Sequence, residues 1–179
     1  MHTFTSCEYV DNYFQLFYNT VVNTSLINAC SFFGHRQIEV TDNLIFSITE
    51  TVENLIKTYN CDIFLFGGFG EFDELCLKIV SLLKQSKYPN IKRVYCCTDE
   101  KDMRRKKKSV NFCNLYDEIT YTPLIYNYWY TRIYYRNLEI IKNSKFSIFY
   151  VTNTNNSGAS KMYEFAKKQH IYTINLANN

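Results

Sequence analysis

The most constraining feature of this 179-residue sequence is a regular alternation of short apolar runs with longer amphipathic segments. The apolar runs have the length of strands and lie at 28–33, 62–66, 91–97, 118–121, 146–151 and 171–176. The other segments repeat apolar residues every three or four positions, which predicts helices within 42–56, 72–85, 129–142 and 159–169. The alternation predicts an α/β fold, a Rossmann-like doubly wound, mostly parallel sheet with helices on both faces.

The length fits one domain with a short appendage. Residues 1–27 lack a clear strand and have rough helical spacing, so we expect a helical N-terminal extension before a Rossmann-like domain at 28–179. No apolar run approaches the ~20 residues that a membrane helix needs. The N-terminus also lacks a basic segment followed by an apolar one. We therefore expect a cytoplasmic protein without a membrane partner.

Charge is concentrated in one short segment. The net charge is +3, whereas the segment 101–108 alone carries six basic residues and one acidic residue, so the rest of the chain is slightly acidic. A basic footprint over the whole surface, typical of DNA-binding domains, is absent. We interpret the segment as a solvated loop or helix end, with a patch for nucleic acid or another anionic partner as the alternative.

The seven cysteines show neither C-x-x-C pairs nor histidines at zinc-like spacing. Most lie inside apolar runs, as Cys30, Cys96 and Cys97 do, which is typical of buried reduced thiols. We therefore predict neither a metal site nor a cofactor.

All five glycines lie in segments that follow strands. Gly34 precedes His35 and Arg36; three further glycines lie in the segment 67–73; and Gly158 lies in the segment 153–161. Because the carboxyl ends of parallel strands meet at one edge of a sheet, these segments should converge there. Glycines permit close backbone approach, and the N-termini of the following helices attract anions such as phosphate. The glycine pattern matches neither the dinucleotide fingerprint nor a Walker motif.

These segments, together with the pair Arg136-Asn137 and the run Ser-Gly-Ala-Ser-Lys at 157–161, resemble the SLOG superfamily over roughly residues 28–176. This superfamily groups the Smf/DprA proteins with the Lonely-guy phosphoribohydrolases, and the resemblance is greatest to its YpsA-like branch of small bacterial proteins. The resemblance implies a Rossmann-like fold that binds nucleotides or nucleotide-derived small molecules, as a homodimer or tetramer. The ligand-binding residues that it implies are Gly34, His35, Arg36, Gly67, Gly68, Gly70, Asp73, Arg136, Asn153, Ser157, Gly158 and Lys161.

The resemblance also implies roles for some of these side chains. Asp73 would meet a ribose hydroxyl or a base edge, and Ser157, Gly158 and Lys161 would take phosphate. His35 serves either as a general acid or phosphate donor or as a hydrogen-bonding partner within its turn. Arg136 either contacts the ligand or forms a surface salt bridge.

The sequence departs from the Lonely-guy pattern at the acidic residue needed to split an N-glycosidic bond. Met162 occupies that position, and Glu164 lies two residues further on. If the protein is an enzyme, the candidate catalytic residues are Asp73, Glu74 and Arg136. We favour a binding protein that senses or sequesters a nucleotide-derived molecule. The alternatives are a nucleotide N-glycosidic hydrolase and, less favoured, a nucleic-acid-binding protein that uses the segment 101–108.

Overall fold

Six strands form one sheet in the order β4-β3-β2-β1-β5-β6, and every neighbouring pair is parallel. The computed structural model describes residues 28–121, 123, 129–152 and 157–178. The strands are β1 (Ala29–Gly34), β2 (Ile63–Phe66), β3 (Lys92–Cys97), β4 (Glu118–Tyr121), β5 (Phe146–Tyr150) and β6 (Tyr172–Asn175). The helices are α1 (Asp42–Tyr59), α2 (Glu71–Ser86), α3 (Glu100–Lys107), α4 (Val110–Leu115), α5 (Trp129–Lys142) and α6 (Gly158–Lys168), followed by a 3-10 turn at Leu176–Asn178.

Two separate groups of apolar side chains cover the two faces of the sheet. On one face, Phe32, Phe64 and Phe66 of adjacent strands stack with ring centroids 5.0 and 6.1 Å apart, and α1 and α2 pack against them. On the other face, Phe33 and Phe149 of the strands pack with residues of α5 and α6. Alternate residues of one strand therefore face opposite layers, and the predicted Rossmann-like α/β fold is confirmed.

The strand order reverses between β1 and β5. The chain runs outward from β1 through β2 and β3 to β4, then returns through α5 to place β5 on the other side of β1. The connections after β1 and β5 consequently diverge to opposite sides of the sheet. In open parallel sheets, a crevice forms at the carboxyl ends of the two strands that flank such a reversal.

The segment 101–108 lies at the surface, as the interpretation of a solvated loop or helix end expects, and most of it forms the helix α3 rather than a loop. The Asp99 side chain caps this helix by accepting a hydrogen bond from the Asp102 N–H at 2.7 Å. Acidic residues stand in its first turn and basic residues in its last turn, the arrangement that the helix dipole favours. The segment has no buried residue, so it lacks the apolar periodicity by which the other long helices were predicted.

Two predictions fall outside the described residues: the helical extension at 1–27 and the contact of Asn153 with a ligand. No helix within the described ranges has the length and apolar character needed to cross a membrane.

Candidate functional site

A cavity of about 310 Å³ lies at the carboxyl ends of β1 and β2, beside the start of α6. We call this cavity the switch-point cleft. Its lining residues are Phe32, Phe33, Gly34, His35, Arg36, Gly67, Phe69, Asp73, Ile133, Arg136, Asn137, Ser157, Gly158, Ala159 and Met162. Loops that are far apart in the sequence therefore meet at one place, where the strand order reverses.

Most of the residues predicted from the sequence line this cleft, but not all of them. Gly68 lines a neighbouring cavity instead. Gly70, Glu74 and Lys161 line neither of these two cavities, and the side chains of Glu74 and Lys161 are exposed elsewhere on their helices.

The backbone amides of the glycine turn after β2 are already occupied by a side chain of the protein. The Asp73 carboxylate accepts hydrogen bonds from the Gly68 N–H at 2.8 Å and, more weakly, from the Gly67 N–H at 3.4 Å. Asp73 is 5% exposed. Burial raises the pKa of Asp73 to about 6, although the two amides and the nearby Arg136 oppose this shift. The turn therefore differs from the open amide cradle that the sequence suggests, since a phosphate would have to displace this carboxylate.

Arg136 is a buried structural tie rather than part of a surface salt bridge, and it is only 2% exposed. Its Nη1 donates to the Gly67 carbonyl at 2.7 Å and to the Cys96 carbonyl at 2.8 Å, and its Nε donates to Asn137 Oδ1 at 2.9 Å. The guanidinium thus joins the carboxyl ends of β2 and β3 while lining the cleft. It is a fixed positive charge at the floor of the site.

His35 connects the loops that follow β1 and β5. Its Nε2 accepts a hydrogen bond from the Thr152 N–H at 3.2 Å and lies 3.2 Å from the Thr152 hydroxyl. The amide side chain of Asn175 fixes the adjacent residue by pairing with both the N–H and the carbonyl of Val151, at 3.0 and 2.8 Å. The rim of the cleft is therefore held in place on its β5 side.

Two glycines of the turn have backbone conformations that disfavour other residues. Gly68 has φ +68°, and a Cβ built there would lie 2.6 Å from Tyr95 Cε2. Gly70 has φ +95°, and its Cβ would lie 2.9 Å from the Arg36 Cα. The turn needs glycine in order to pass close to β3 and to the loop after β1.

A second cavity, of about 760 Å³, adjoins the cleft and is strongly basic. We call it the basic cavity. Its charged lining residues are Lys101, Arg104, Arg105, Lys106, Lys108 and Arg132, with Asp99 and Asp102 as the acidic members. Its remaining lining residues are Gly68, Phe69, Tyr95, Thr98 and Ile133. The segment 101–108 thus lies at the same sheet edge as the cleft. Its place in the sequence directly after β3 could have predicted this, because the carboxyl ends of parallel strands share one edge.

Phe69 and Ile133 line both cavities and form the boundary between them. Phe69 is 46% exposed, which is unusual for a phenylalanine in a turn between a buried strand and a helix. Its ring centroid lies 5.9 Å from the guanidinium carbons of both Arg36 and Arg136. An exposed aromatic ring beside two guanidinium groups suits contact with a flat, electron-rich ligand.

The lining of the cleft contains few carboxyl groups that could act as a catalytic acid or base. Met162, at the position where the resemblance expects an acidic residue, lines the cleft and is 1% exposed. Glu164 lies outside the cleft and pairs with Lys167 at 3.3 Å. Asp73 is the acidic residue among those that line the cleft, and its oxygens accept hydrogen bonds from the backbone.

Comparisons with known proteins support the fold. No protein-family model matches the chain, and no curated protein matches it. Among solved structures, the chain is similar to DNA processing protein A from Helicobacter pylori, a structure described for its single-stranded DNA binding mode. The TM-score is 0.56 and the sequence identity 14%, and the match covers 86% of this chain and 66% of that protein, just under two thirds. At this identity the likeness concerns the fold, and it agrees with the Smf/DprA side of the resemblance at that level.

Proposed function

We propose that this protein binds a nucleotide or a nucleotide-derived small molecule in the switch-point cleft. The observation that carries this proposal is the convergence of the β1 end, the glycine turn after β2 and the first turn of α6 around one cavity of about 310 Å³. This volume is at the lower end of the range of ~300–1,000 Å³ that is usual for small-molecule sites. The position at the reversal of strand order is where α/β sheets bind their ligands.

The cleft contains separate groups for the phosphate and for the base. Residues Ser157, Gly158 and Ala159 begin an 11-residue helix, whose N-terminus favours an anion. The exposed Arg36 adds a cation to the lining of the cleft. The ring of Phe69 offers an apolar surface for stacking a base.

Ligand-induced stabilisation tests this proposal. A panel of nucleosides, nucleoside monophosphates, cyclic nucleotides and ADP-ribose should contain at least one member that raises the melting temperature, because a ligand that binds only the folded state stabilises it. Arg36→Gln should reduce the shift. Lys78→Gln, which removes an exposed charge on α2, is the matched control and should leave the shift intact. The absence of any shift over the whole panel would contradict the proposal.

We favour binding over hydrolysis, because the exposed Glu74 lies outside the cleft and Asp73 is engaged by backbone amides. Prolonged incubation with the ligand from the panel should therefore return it intact. Release of free base that Asp73→Asn abolishes would favour the N-glycosidic hydrolase instead.

A second candidate function is the binding of single-stranded nucleic acid. It is favoured by the basic cavity beside the cleft and by the exposed aromatic ring between the two, since such proteins combine cationic grooves with stacking platforms. The similar protein from Helicobacter pylori binds single-stranded DNA.

The expected homodimer or tetramer stays a prediction, which light scattering of the purified protein tests.

A further inference from the structure

We infer that the ligand carries two or more phosphates, and that its phosphate chain extends from the switch-point cleft past Phe69 into the basic cavity. The ligand class is then a nucleoside di- or triphosphate rather than a monophosphate. The inference rests on the proposed binding of a nucleotide in the cleft and names the chemistry of the remaining part of the ligand.

The two cavities are adjacent in a way that a single ligand can use. They share Phe69 and Ile133 as lining residues, so a phosphate chain that leaves the cleft beside these two side chains enters the basic cavity directly. Gly68, the neighbour of Phe69, lines the basic cavity, and Gly67 lines the cleft. Consecutive residues of one turn therefore line both cavities.

The basic cavity has more positive charge than the described residues around it neutralise. Six basic and two acidic side chains line it. Three of the arginines have acidic partners: Arg104 pairs with Glu100 at 2.6 Å, Arg105 with Asp102 at 2.7 Å and Arg132 with Asp99 at 2.8 Å.

The lysines of the basic cavity are less well paired. Lys106 lies over the rings of Phe112 and Tyr95, at 4.0 and 4.4 Å from their centroids. Lys101 and Lys108 are exposed and form no ion pair with any residue in the described part of the chain. Phosphate oxygens are suitable partners for such ammonium groups.

The compactness of the positive charge favours a short polyanion. The segment 101–108 carries six basic residues and one acidic residue, whereas the rest of the chain is slightly acidic, so the surplus of positive charge is local. The helix α3 has eight residues and is thus about 12 Å long. A second and third phosphate attached to a nucleoside in the cleft would meet this group, whereas a long strand would leave it after a few nucleotides.

Calorimetric titration with AMP, ADP and ATP, and with their guanosine counterparts, tests the inference. The titrations are made without divalent cations, so that the phosphates keep their full charge. We expect the triphosphate to bind at least about tenfold more tightly than the monophosphate. In Lys101→Gln/Lys108→Gln this ratio should fall to less than about threefold. Lys107→Gln/Lys78→Gln removes the same charge from exposed positions outside the lining and should keep the wild-type ratio.

The outcomes separate the inference from the proposal beneath it. Equal affinities for mono-, di- and triphosphates would overturn the inference and leave nucleotide binding in place. Binding of none of these nucleotides would overturn the inference, and the absence of a melting-temperature shift over the wider panel would overturn the proposed function as well. A single-stranded oligothymidylate that binds more tightly than any triphosphate, and loses affinity in Lys101→Gln/Lys108→Gln, would assign the basic cavity to nucleic acid and overturn the inference. An equal fall of the triphosphate-to-monophosphate ratio in the two double variants would also overturn the inference, because it would show that the lysines lining the basic cavity have no special part in binding.

Discussion

Arg136 places a positive charge inside the protein, where it holds the carboxyl ends of β2 and β3 together. Replacement by methionine would keep much of the volume but leave the Gly67 and Cys96 carbonyls without this donor. Because each buried acceptor without a partner costs about 1–3 kcal/mol, we expect Arg136→Met to lower the free energy of unfolding by about 3 kcal/mol. Urea denaturation measures this change.

Arg104→Met is the matched control for that experiment. Arg104 is exposed, and its ion pair among the described residues is with Glu100 on the same helix, so its loss should cost less than about 1 kcal/mol. If the two variants were equally stable, the buried hydrogen bonds of Arg136 would not be what fixes the floor of the cleft.

Asp73 should make stability depend on pH in an unusual direction. Its pKa is about 6 in the folded protein, above the ordinary value of 3.8, so the folded state binds more protons than the unfolded state between about pH 4 and pH 6. The contribution of Asp73 to stability is therefore greatest at low pH and declines as the pH rises through 6. From pH 4.5 to pH 7 the decline should be about 2 kcal/mol.

Asp73→Asn isolates this effect, because asparagine retains an oxygen that can accept from the Gly68 N–H. The free energy of unfolding of the wild type, minus that of the variant, should fall as the pH rises over this range. A rise instead would mean that the two amides and Arg136 outweigh burial and hold the pKa of Asp73 below its ordinary value.

The sequence marks Arg136 and Asp73 as site residues, but it could not reveal what they contact. Their environments depend on groups far away in the chain: Arg136 meets the Gly67 carbonyl, 69 residues away. The periodicity of a helix indicates which of its faces is apolar. It does not reveal that a polar side chain such as Arg136 is buried in order to donate hydrogen bonds to the ends of two strands. Residue type and approximate location were therefore predictable, and the direction of each hydrogen bond was not.

At the scale of elements, the glycines that follow the strands are not equivalent. Gly68 has a positive φ and faces Tyr95, whereas a Cβ at Gly158 would meet no atom within 4 Å. Gly68→Ala should therefore destabilise the protein by about 2–4 kcal/mol, through backbone strain and overpacking. Gly158→Ala, in the first turn of α6, should be neutral or stabilising by up to about 1 kcal/mol.

Thermal unfolding of these two variants, both of which add one methyl group, distinguishes a required turn from a tolerant helix start. Similar melting temperatures would show that the turn after β2 relaxes without cost, and that its shape is not set by Gly68.

The strands and the long helices were predictable because each buries a continuous apolar run or an apolar stripe. The helix α1 illustrates this: its apolar stripe buries Leu44, Ile48 and Val52. Its first turn is closed by the Thr41 hydroxyl, which accepts from the Leu44 N–H at 3.2 Å. The helix α3 has no buried residue, and it is stabilised by the Asp99 cap and by pairs within the helix such as Glu100 with Arg104. These stabilising interactions are local and polar, so a prediction based on apolar periodicity does not detect them.

At the scale of the whole molecule, the order of strands decides where charge and cavities meet. The loops after β1, β2 and β3 all open at one edge, which brings the basic helix α3 beside a cleft lined by the end of β1, the turn after β2, and residues of α2, α5 and α6. The alternation of strands and helices predicts this edge as the site. It does not predict two adjoining cavities, because their boundary depends on the positions of two side chains, those of Phe69 and Ile133.

The local character of the positive charge gives a test of the second candidate function. If single-stranded DNA binds, its affinity should fall with salt, because each phosphate that a lysine neutralises releases counterions, with a slope of about −0.7 per contact. The triple variant Lys101→Gln/Lys106→Gln/Lys108→Gln, which removes the three lysines that line the basic cavity, should make the slope of log affinity against log salt shallower by about 2. Fluorescence anisotropy of a labelled oligothymidylate over a range of salt concentrations measures it.

The control removes three exposed lysines outside α3, in Lys78→Gln/Lys145→Gln/Lys168→Gln, and has the same net charge. If DNA contacts the basic cavity, the control should keep the wild-type slope, because charges beyond about 10 Å are screened at moderate salt. Equal slopes in the two triple variants would show that the oligonucleotide responds to net charge alone. The basic cavity would then have no part in nucleic-acid binding, and the nucleotide proposal would stand without its competitor.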